Sequence, residues 1–281
     1  MHTLRLTTSW GELRLAGGSR AGEASILLLP QLRLALDAGR PARALVPMQH
    51  VVVSHGHMDH VLGLPAWASQ RQLQGMPGGT VFVPPSLAAP LGELLAVCAR
   101  LEGGAPYDVE LKTVAPGDAV MVRPGFELRF FATSHWIETL GCAVVWQRQR
   151  LLPAFFGLPP DELRRRRAAG EPLTETVETL LLAYLADTGP EVFEQEPWLA
   201  DAEVLVLECT FLRPSDRARA QRFGHMHLAD VAALVPALRN RHLVLTHLSR
   251  RHRIAPAVRT IRKQLAPELQ PALHFLNVEW D

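Results

Sequence analysis

Short apolar runs set off by Gly, Pro and charged residues recur along most of the chain, the pattern of strands buried on one or both faces. They predict strands at 3–7, 13–15, 25–29 and 33–36, then at 50–53, 80–83, 109–113, 119–122 and 127–132. Further runs follow at 141–146, 179–186, 204–207, 242–246 and 273–278. Helical spacing appears between them. Residues 61–74 read as a helix closed by Gly75, with others at 90–101, 229–238 and 255–265. Residues 148–178 break the pattern. They are rich in Arg, Pro and Glu with weak periodicity, and read as an arm that leaves the core. Strands alternating with helices predict a layered α/β domain.

A chain of 281 residues with 48% hydrophobic content can bury the core of one large domain or two small ones. The reading adopted is one domain over 1–281 carrying the arm. The net charge of +1 makes no global demand for a polyanionic partner, so any such site must be local. Cys98, Cys142 and Cys209 are scattered and contain no Cys-x-x-Cys pair. The N-terminal segment lacks the apolar stretch of a signal peptide, and no apolar run suits a bilayer span. A cytoplasmic protein without a membrane partner is expected.

The chemistry concentrates at residues 54–60, Ser-His-Gly-His-Met-Asp-His, just after the β-branched run His50-Val51-Val52-Val53. His55, His57, Asp59 and His60 offer the imidazole and carboxylate ligands that suit Zn²⁺ and similar divalent ions. Asp37, His135, Asp187, Glu208 and His247 also follow apolar runs. Alone, each would be an ordinary loop residue. Together they place polar groups at one strand-end edge, where a two-metal site could collect its imidazoles and a bridging carboxylate.

These residues resemble the pattern of the metallo-β-lactamase-fold hydrolases, and within them ribonuclease Z, the tRNA 3′-processing endonuclease. The superfamily pattern is met by Asp37 in LALDAG, the His-x-His-x-Asp-His cluster, His135, Asp187 in YLADTG and His247 in LTHLSRRH. Narrower likenesses are LECTF at 207–211, with Cys209 where the family has Ala, and GHMHL at 224–228. THLSRRH at 246–252 is similar to Thr-His-Phe-Ser-x-Arg-Tyr, with Leu248 and His252 as departures. The arm segment PAFFGLPPDELRRRRAAGEPLT resembles that of the short plant- and cyanobacteria-like members, and the long Gly- and Pro-rich arm of many bacterial members is absent.

The resemblance implies an αββα sandwich of two mixed β-sheets flanked by helices, with the metal site at the strand-end edge. It implies two Zn²⁺ ions, with Mn or Fe as alternatives. His55, His57 and His135 would hold one, Asp59, His60 and His247 the other, and Asp187 would bridge. Asp59 would also orient the attacking hydroxide activated between the metals, and Asp37 would stand behind a ligand. Glu208 with a histidine of the 225–227 pair would protonate the leaving oxygen. His227 is favoured, with His225 as the alternative. Arg164, Arg165, Arg166, Arg167, Arg250 and Arg251 are candidate RNA contacts. The expected activity is hydrolysis of a phosphodiester at the 3′ side of precursor tRNA, in a homodimer. Two other readings stay open: a phosphodiesterase or other hydrolase of the same fold acting on a small molecule such as a cyclic nucleotide or ester, and a metal-binding protein without hydrolysis.

Overall fold

The computed structural model describes residues 1–280. The first sheet runs β1 (His2–Thr8), β2 (Gly11–Arg20), β3 (Ala24–Leu29), β4 (Leu34–Leu36), β5 (His50–Val52), β6 (Gly79–Val83) and β7 (Val109–Thr113), in that order across the sheet. Pairing is antiparallel from β1 to β4 and parallel from β4 to β7. The second sheet holds β8 (Ala119–Arg123), β9 (Phe126–Ala132), β10 (Leu140–Leu151), β11 (Thr174–Tyr184), β12 (Val204–Glu208), β13 (His242–Thr246) and β14 (Ala272–Phe275). It repeats the scheme, antiparallel from β8 to β11 and parallel from β11 to β14. No internal repeat is visible in the residues, because the repetition is one of topology.

The sheets pack face to face. Leu27, Leu34 and Val52 of the first meet Leu128, Val144 and Val206 of the second in one buried cluster. Period-two alternation then decides what lies outside. Val204 and Val206 point between the sheets, while Leu205 and Leu207 point outward under helices. Both faces are therefore buried, which is why these strands read as continuous apolar runs. Helices α1 (Met58–Val61), α2 (Leu64–Leu73) and α3 (Pro85–Leu101) connect the parallel strands of the first sheet. Trp67 of α2 packs with Val51 and Val81 beneath them. On the second sheet α5 (Val192–Gln195), α6 (Arg217–Phe223), α7 (Leu228–Leu234) and α8 (Ile254–Leu265) make the corresponding connections.

Three local expectations change. The helix expected at 61–74 is two, because the first begins within the histidine cluster and breaks at Gly63. A side chain at Gly63 would meet the Arg40 carbonyl at 2.2 Å, so the chain turns there by close backbone approach. The helix α3 starts at Pro85, where a proline at the first helical position has no N–H to leave unpaired. The arm is more regular than its composition suggests. Its two ends continue β10 and β11 as a ladder out to Leu151 opposite Thr174, and its tip carries α4 (Pro160–Ala168).

Candidate active site

Most residues of the site lie at or just after the C-terminal end of a strand, where open α/β sheets present their polar loops. Asp37 leaves β4, the His55–His60 segment leaves β5, and His135 follows β9. Asp187, Glu208 and His247 leave β11, β12 and β13. Parallel register sets Glu208 level with Thr246, so neighbouring loops start at one height. The conformation changes within the cluster itself. His57 is extended (φ −67°, ψ 144°) and is followed by the first turn of α1, which carries Asp59 and His60. That change divides the ligands into two groups.

In the first group, His55, His57, His135 and Asp187 each offer an atom within 4.8 Å of the others; in the second, Asp59, His60 and His247 do the same. Asp187 faces both. Its Oδ2 lies 3.6 Å from His55 Nε2, and its Oδ1 lies 3.6 Å from His60 Nε2 and 3.3 Å from His247 Nε2. His55 Nε2 and His57 Nδ1 face each other at 2.9 Å, a distance that calls for a proton or cation between them. Asp187 Oδ1 and His135 Nε2 are buried with no hydrogen-bond partner. Buried polar atoms are almost always paired, so these aimed and unpaired atoms fit divalent cations.

The opposite ring nitrogens are tied down, and their partners decide the tautomers. His135 Nδ1 donates to the Gly224 carbonyl at 2.9 Å. His60 Nδ1 donates to Asp37 Oδ2 at 2.7 Å. Ser54 Oγ donates to the same Asp37 oxygen at 2.9 Å and accepts from His55 Nδ1 at 2.9 Å. Thr210 Oγ1 donates to Glu208 and accepts from His247 Nδ1 at 3.1 Å. Each Nε2 lone pair is thereby left for the centre. Asp37 is buried and also takes the Tyr184 hydroxyl at 2.6 Å, so it stands behind His60, out of the ligand ring. Burial, the dominant effect, lowers the pKa of His55, His57 and His135 and favours the neutral imidazoles that bind metal. For Asp59 and Asp187 the facing histidines outweigh burial and hold the carboxyls well below their ordinary range.

Several site residues adopt strained backbone. Asp37 (φ 62°), His247 (φ 57°) and Ala186 (φ 51°), just before Asp187, lie in the left-handed region without being glycine. Such residues cost on the order of 1 kcal/mol or more and persist where surrounding bonds fix them. His247 is held by donation of its N–H to Ser19 Oγ at 3.0 Å and of its Nδ1–H to the Thr210 hydroxyl at 3.1 Å. Gly39 is required for another reason. A Cβ there would lie 1.9 Å from the Asp59 carbonyl oxygen, so the loop after β4 braces α1.

The structure sets His225, rather than His227, against Glu208. His225 Nδ1 donates to Glu208 Oε1 at 2.8 Å, and Glu208 is fully buried. Burial pulls the His225 pKa down, but the Glu208 charge and hydrogen bond outweigh it and lift it to about 9. His227, favoured from sequence, is occupied elsewhere. Its Nδ1 accepts from the Ala229 N–H at 3.1 Å as the N-cap of α7, and its Nε2 donates to the Arg213 carbonyl at 3.0 Å. His227 thus caps the helix it precedes and makes no hydrogen bond to Glu208.

A cleft of about 290 Å³ opens over the cluster, lined by His57, Asp59, His225, Trp136, Phe223 and Arg251 among others. Trp136, 58% exposed, and Phe223 were missed from sequence; an aromatic directly after the ligand His135 was the available signal. Of the candidate RNA-contacting arginines, Arg251 reaches this cleft. Arg250 is engaged with Glu23 at 2.9 Å and does not line it. In the arm, Arg164 pairs with Asp161, Arg165 with Glu162, and Arg166 with Glu162 at 2.7 Å, which leaves Arg167 without an ion pair among the described residues. Phe155 is buried beneath Arg166 at 5.6 Å, while Phe156 is 62% exposed.

Comparison with known proteins accounts for this arrangement. Residues 21–248 match the family described as a Beta-lactamase superfamily domain. The chloroplastic tRNase Z TRZ2 of Arabidopsis thaliana is 30% identical over 245 residues, covering 85% of this chain and 68% of that one. Ribonuclease Z of Bradyrhizobium diazoefficiens is 32% identical over 235 residues, 73% of each chain. Among solved structures, the short form of human tRNase Z superposes with a TM-score of 0.60 at 15% identity, covering 94% of this chain and 95% of its own. The YhfI protein of Bacillus subtilis gives 0.64 at 14%, over 95% and 96%. The two mixed sheets, the clustered ligands and these relatives have one common reading: the chain belongs to the β-lactamase superfamily and, within it, to the ribonuclease Z family of metal-dependent endoribonucleases.

Proposed function

We propose that the protein hydrolyses a phosphodiester at the 3′ side of precursor tRNA. The observation that carries this reading is the Glu208–His225 pair, set against the two ligand groups with Asp187 between them. An ester with an activated leaving group has no need of a proton donor, whereas a ribose 3′-oxygen leaves only with one. The names of the relatives, tRNase Z and ribonuclease Z, support precursor tRNA as the substrate.

The proposed ligand set is His55, His57 and His135 for one ion, Asp59, His60 and His247 for the other, with Asp187 shared. Two Zn²⁺ ions suit this imidazole-rich set with its carboxylates. When bound, such ions supply positive charge to the phosphoryl oxygens and lower the pKa of a bound water. The chain's own groups do the rest. Asp59, fixed by the Gly22 N–H at 2.7 Å on its Oδ2, orients the attacking water and accepts its proton. His225, held by Glu208, donates a proton through Nε2 to the departing 3′-oxygen. Asp37 keeps the proton of His60 on Nδ1, away from the centre.

The reading takes residues 1–281 as one such domain with the arm at about 148–178 as an RNA-binding extension. It places the protein in the cytoplasm, with its free thiols Cys98, Cys142 and Cys209. It also makes it a homodimer, whose second copy would cover the exposed Met58 and Leu62 of the α1 region. The test is cleavage of an unprocessed tRNA transcript beside bis(p-nitrophenyl) phosphate, with metal analysis of protein purified without chelator. Cleavage at the tRNA 3′ side with close to two metals per chain is expected. Hydrolysis of the small phosphodiester alone would replace the tRNA reading with a small-molecule one.

A further inference from the structure

Beside the catalytic cleft lies a second concavity of about 530 Å³, between the loop at Leu212–Pro214 and the N-terminal half of α8. Arg213, Arg251 and Arg253 all line it, and Arg251 lines the catalytic cleft as well. Among the described residues, none of these three guanidinium groups has a carboxylate partner. That contrasts with Arg150, Arg217, Arg239 and Arg250, each of which is paired with an acid. Three exposed cations gathered around one hollow with no acid in its lining raise the local potential and attract an anion.

A buried histidine and the start of a helix border the same hollow. His252 lines it, is only 8% exposed, and leaves its Nε2 without a hydrogen bond. The nearest acid is Asp216, whose Oδ2 stands 3.9 Å from that nitrogen and is itself unpartnered. Asp216 is not among the lining residues, and the charged side chains that line the hollow are the three arginines. Helix α8 begins here at Ile254 with no side-chain cap and no acid in its first turn. Its free N–H groups and the positive end of its dipole suit an anion. The loop is also fixed: His227 Nε2 donates to the Arg213 carbonyl.

We infer that this hollow is a phosphate subsite, which takes a backbone phosphate of the RNA strand next to the scissile one. The inference rests on the endoribonuclease reading above. Because Arg251 borders both hollows, a strand whose scissile phosphate lies over the ligand groups can place a neighbouring phosphate against Arg213 and Arg253. Contacts of this kind position a strand without reading its sequence.

The test uses the full chain with Arg213→Ala and Arg253→Ala combined, leaving Arg251 in place. Binding of a fluorescein-labelled single-stranded RNA dodecamer is followed by anisotropy between about 50 and 200 mM salt. The affinity is expected to fall by about five- to tenfold. The slope of log K against log salt should shrink by about 0.7 for one lost phosphate contact on a single strand. Hydrolysis of bis(p-nitrophenyl) phosphate should stay within about twofold, because the ligand groups, Glu208 and His225 are untouched. The Arg213→Lys, Arg253→Lys protein should recover most of the binding, since a phosphate contact is largely one of charge. Unchanged affinity and slope would overturn the inference, as would a loss shared equally by the small phosphodiester or one the lysines do not restore. Inorganic phosphate should compete with RNA for the wild type and less for the double variant. If only phosphate binding changes and RNA binding does not, the hollow serves a free anion and the RNA subsite falls. Failure of the wild type to cut precursor tRNA would count against the tRNA substrate alone, since the binding test uses generic RNA.

Discussion

Replacement of His225 by alanine separates the two halves of the proposed chemistry. The imidazole gives its Nδ1 proton to Glu208 at 2.8 Å, so the nitrogen left to donate is Nε2. With a pKa lifted to about 9, it is about 99% protonated at neutral pH. A positioned acid contributes roughly 10²–10⁴-fold, and His225→Ala should reduce RNA cleavage by that amount. The same variant should hydrolyse bis(p-nitrophenyl) phosphate within about tenfold of wild type, because p-nitrophenolate leaves without a proton. Single-turnover rates on both substrates measure the difference. The pH profile gives a second handle. The required form is the acid, so RNA cleavage should decline as pH rises through about 9, the value to which Glu208 lifts His225. In Glu208→Gln the largest charge opposing burial is lost, leaving that of Asp187, and the decline should move to lower pH. His227→Ala should behave differently, costing about 1 kcal/mol of stability through the lost helix cap with a much smaller effect on rate. Equal loss of both substrates in His225→Ala, or retention of more than about a tenth of the RNA rate, would refute its role as the acid.

Asp59→Ala should lower turnover on both substrates by at least about 10²–10⁴-fold while RNA binding persists; a rate within tenfold of wild type would remove Asp59 from the mechanism. Asp37→Asn puts an amide where the His60 ring, the Ser54 hydroxyl and the Tyr184 hydroxyl all donate. Metal affinity, measured by chelator competition, should fall by about 10–100-fold. Deleting residues 151–175 should raise KM for precursor tRNA and spare the small phosphodiester; equal damage to both, with a changed size on gel filtration, would make the arm a packing element. Alanine at Arg164, Arg165, Arg166 and Arg167 together should have a mild effect, a change in salt slope of about one unit or less, because Arg164, Arg165 and Arg166 already have acid partners.

Much of the site could be read from residue order because each group sits at the end of a strand, and strand ends are visible as the end of an apolar run. The cluster at residues 54–60, Asp187 after LLLAYLA and His247 after HLVLT are of this kind. Tertiary relations were not visible in this way. His225 and His227 differ by one intervening residue, and which of them meets Glu208 depends on the left-handed turn at Gly224 (φ 60°) that ends α6. Pairing of the arm arginines with Asp161 and Glu162 follows helical spacing, a local signal outweighed by the appearance of four adjacent cations. The cationic hollow at α8 brings Arg213, from a separate loop, beside Arg251 and Arg253, a relation that residue order does not show.

The two sheets contribute to the centre unequally and from far apart. His60 comes from the first and His247 from the second, 187 positions along the chain, yet their Nε2 atoms stand 3.4 Å from each other. Neither ligand group can close while the halves are apart, since Asp187 and His135 belong to one and His55 and His57 to the other. The metal ions would therefore act as rivets across the seam between the sheets, recognising only the docked state. Ligand that binds the native state alone adds about 2.7 kcal/mol of stability at a hundredfold excess over its Kd. Loss of metal in the cell would then weaken the join between the sheets as well as silence the enzyme, exposing the leucine-rich inner faces to aggregation and proteolysis.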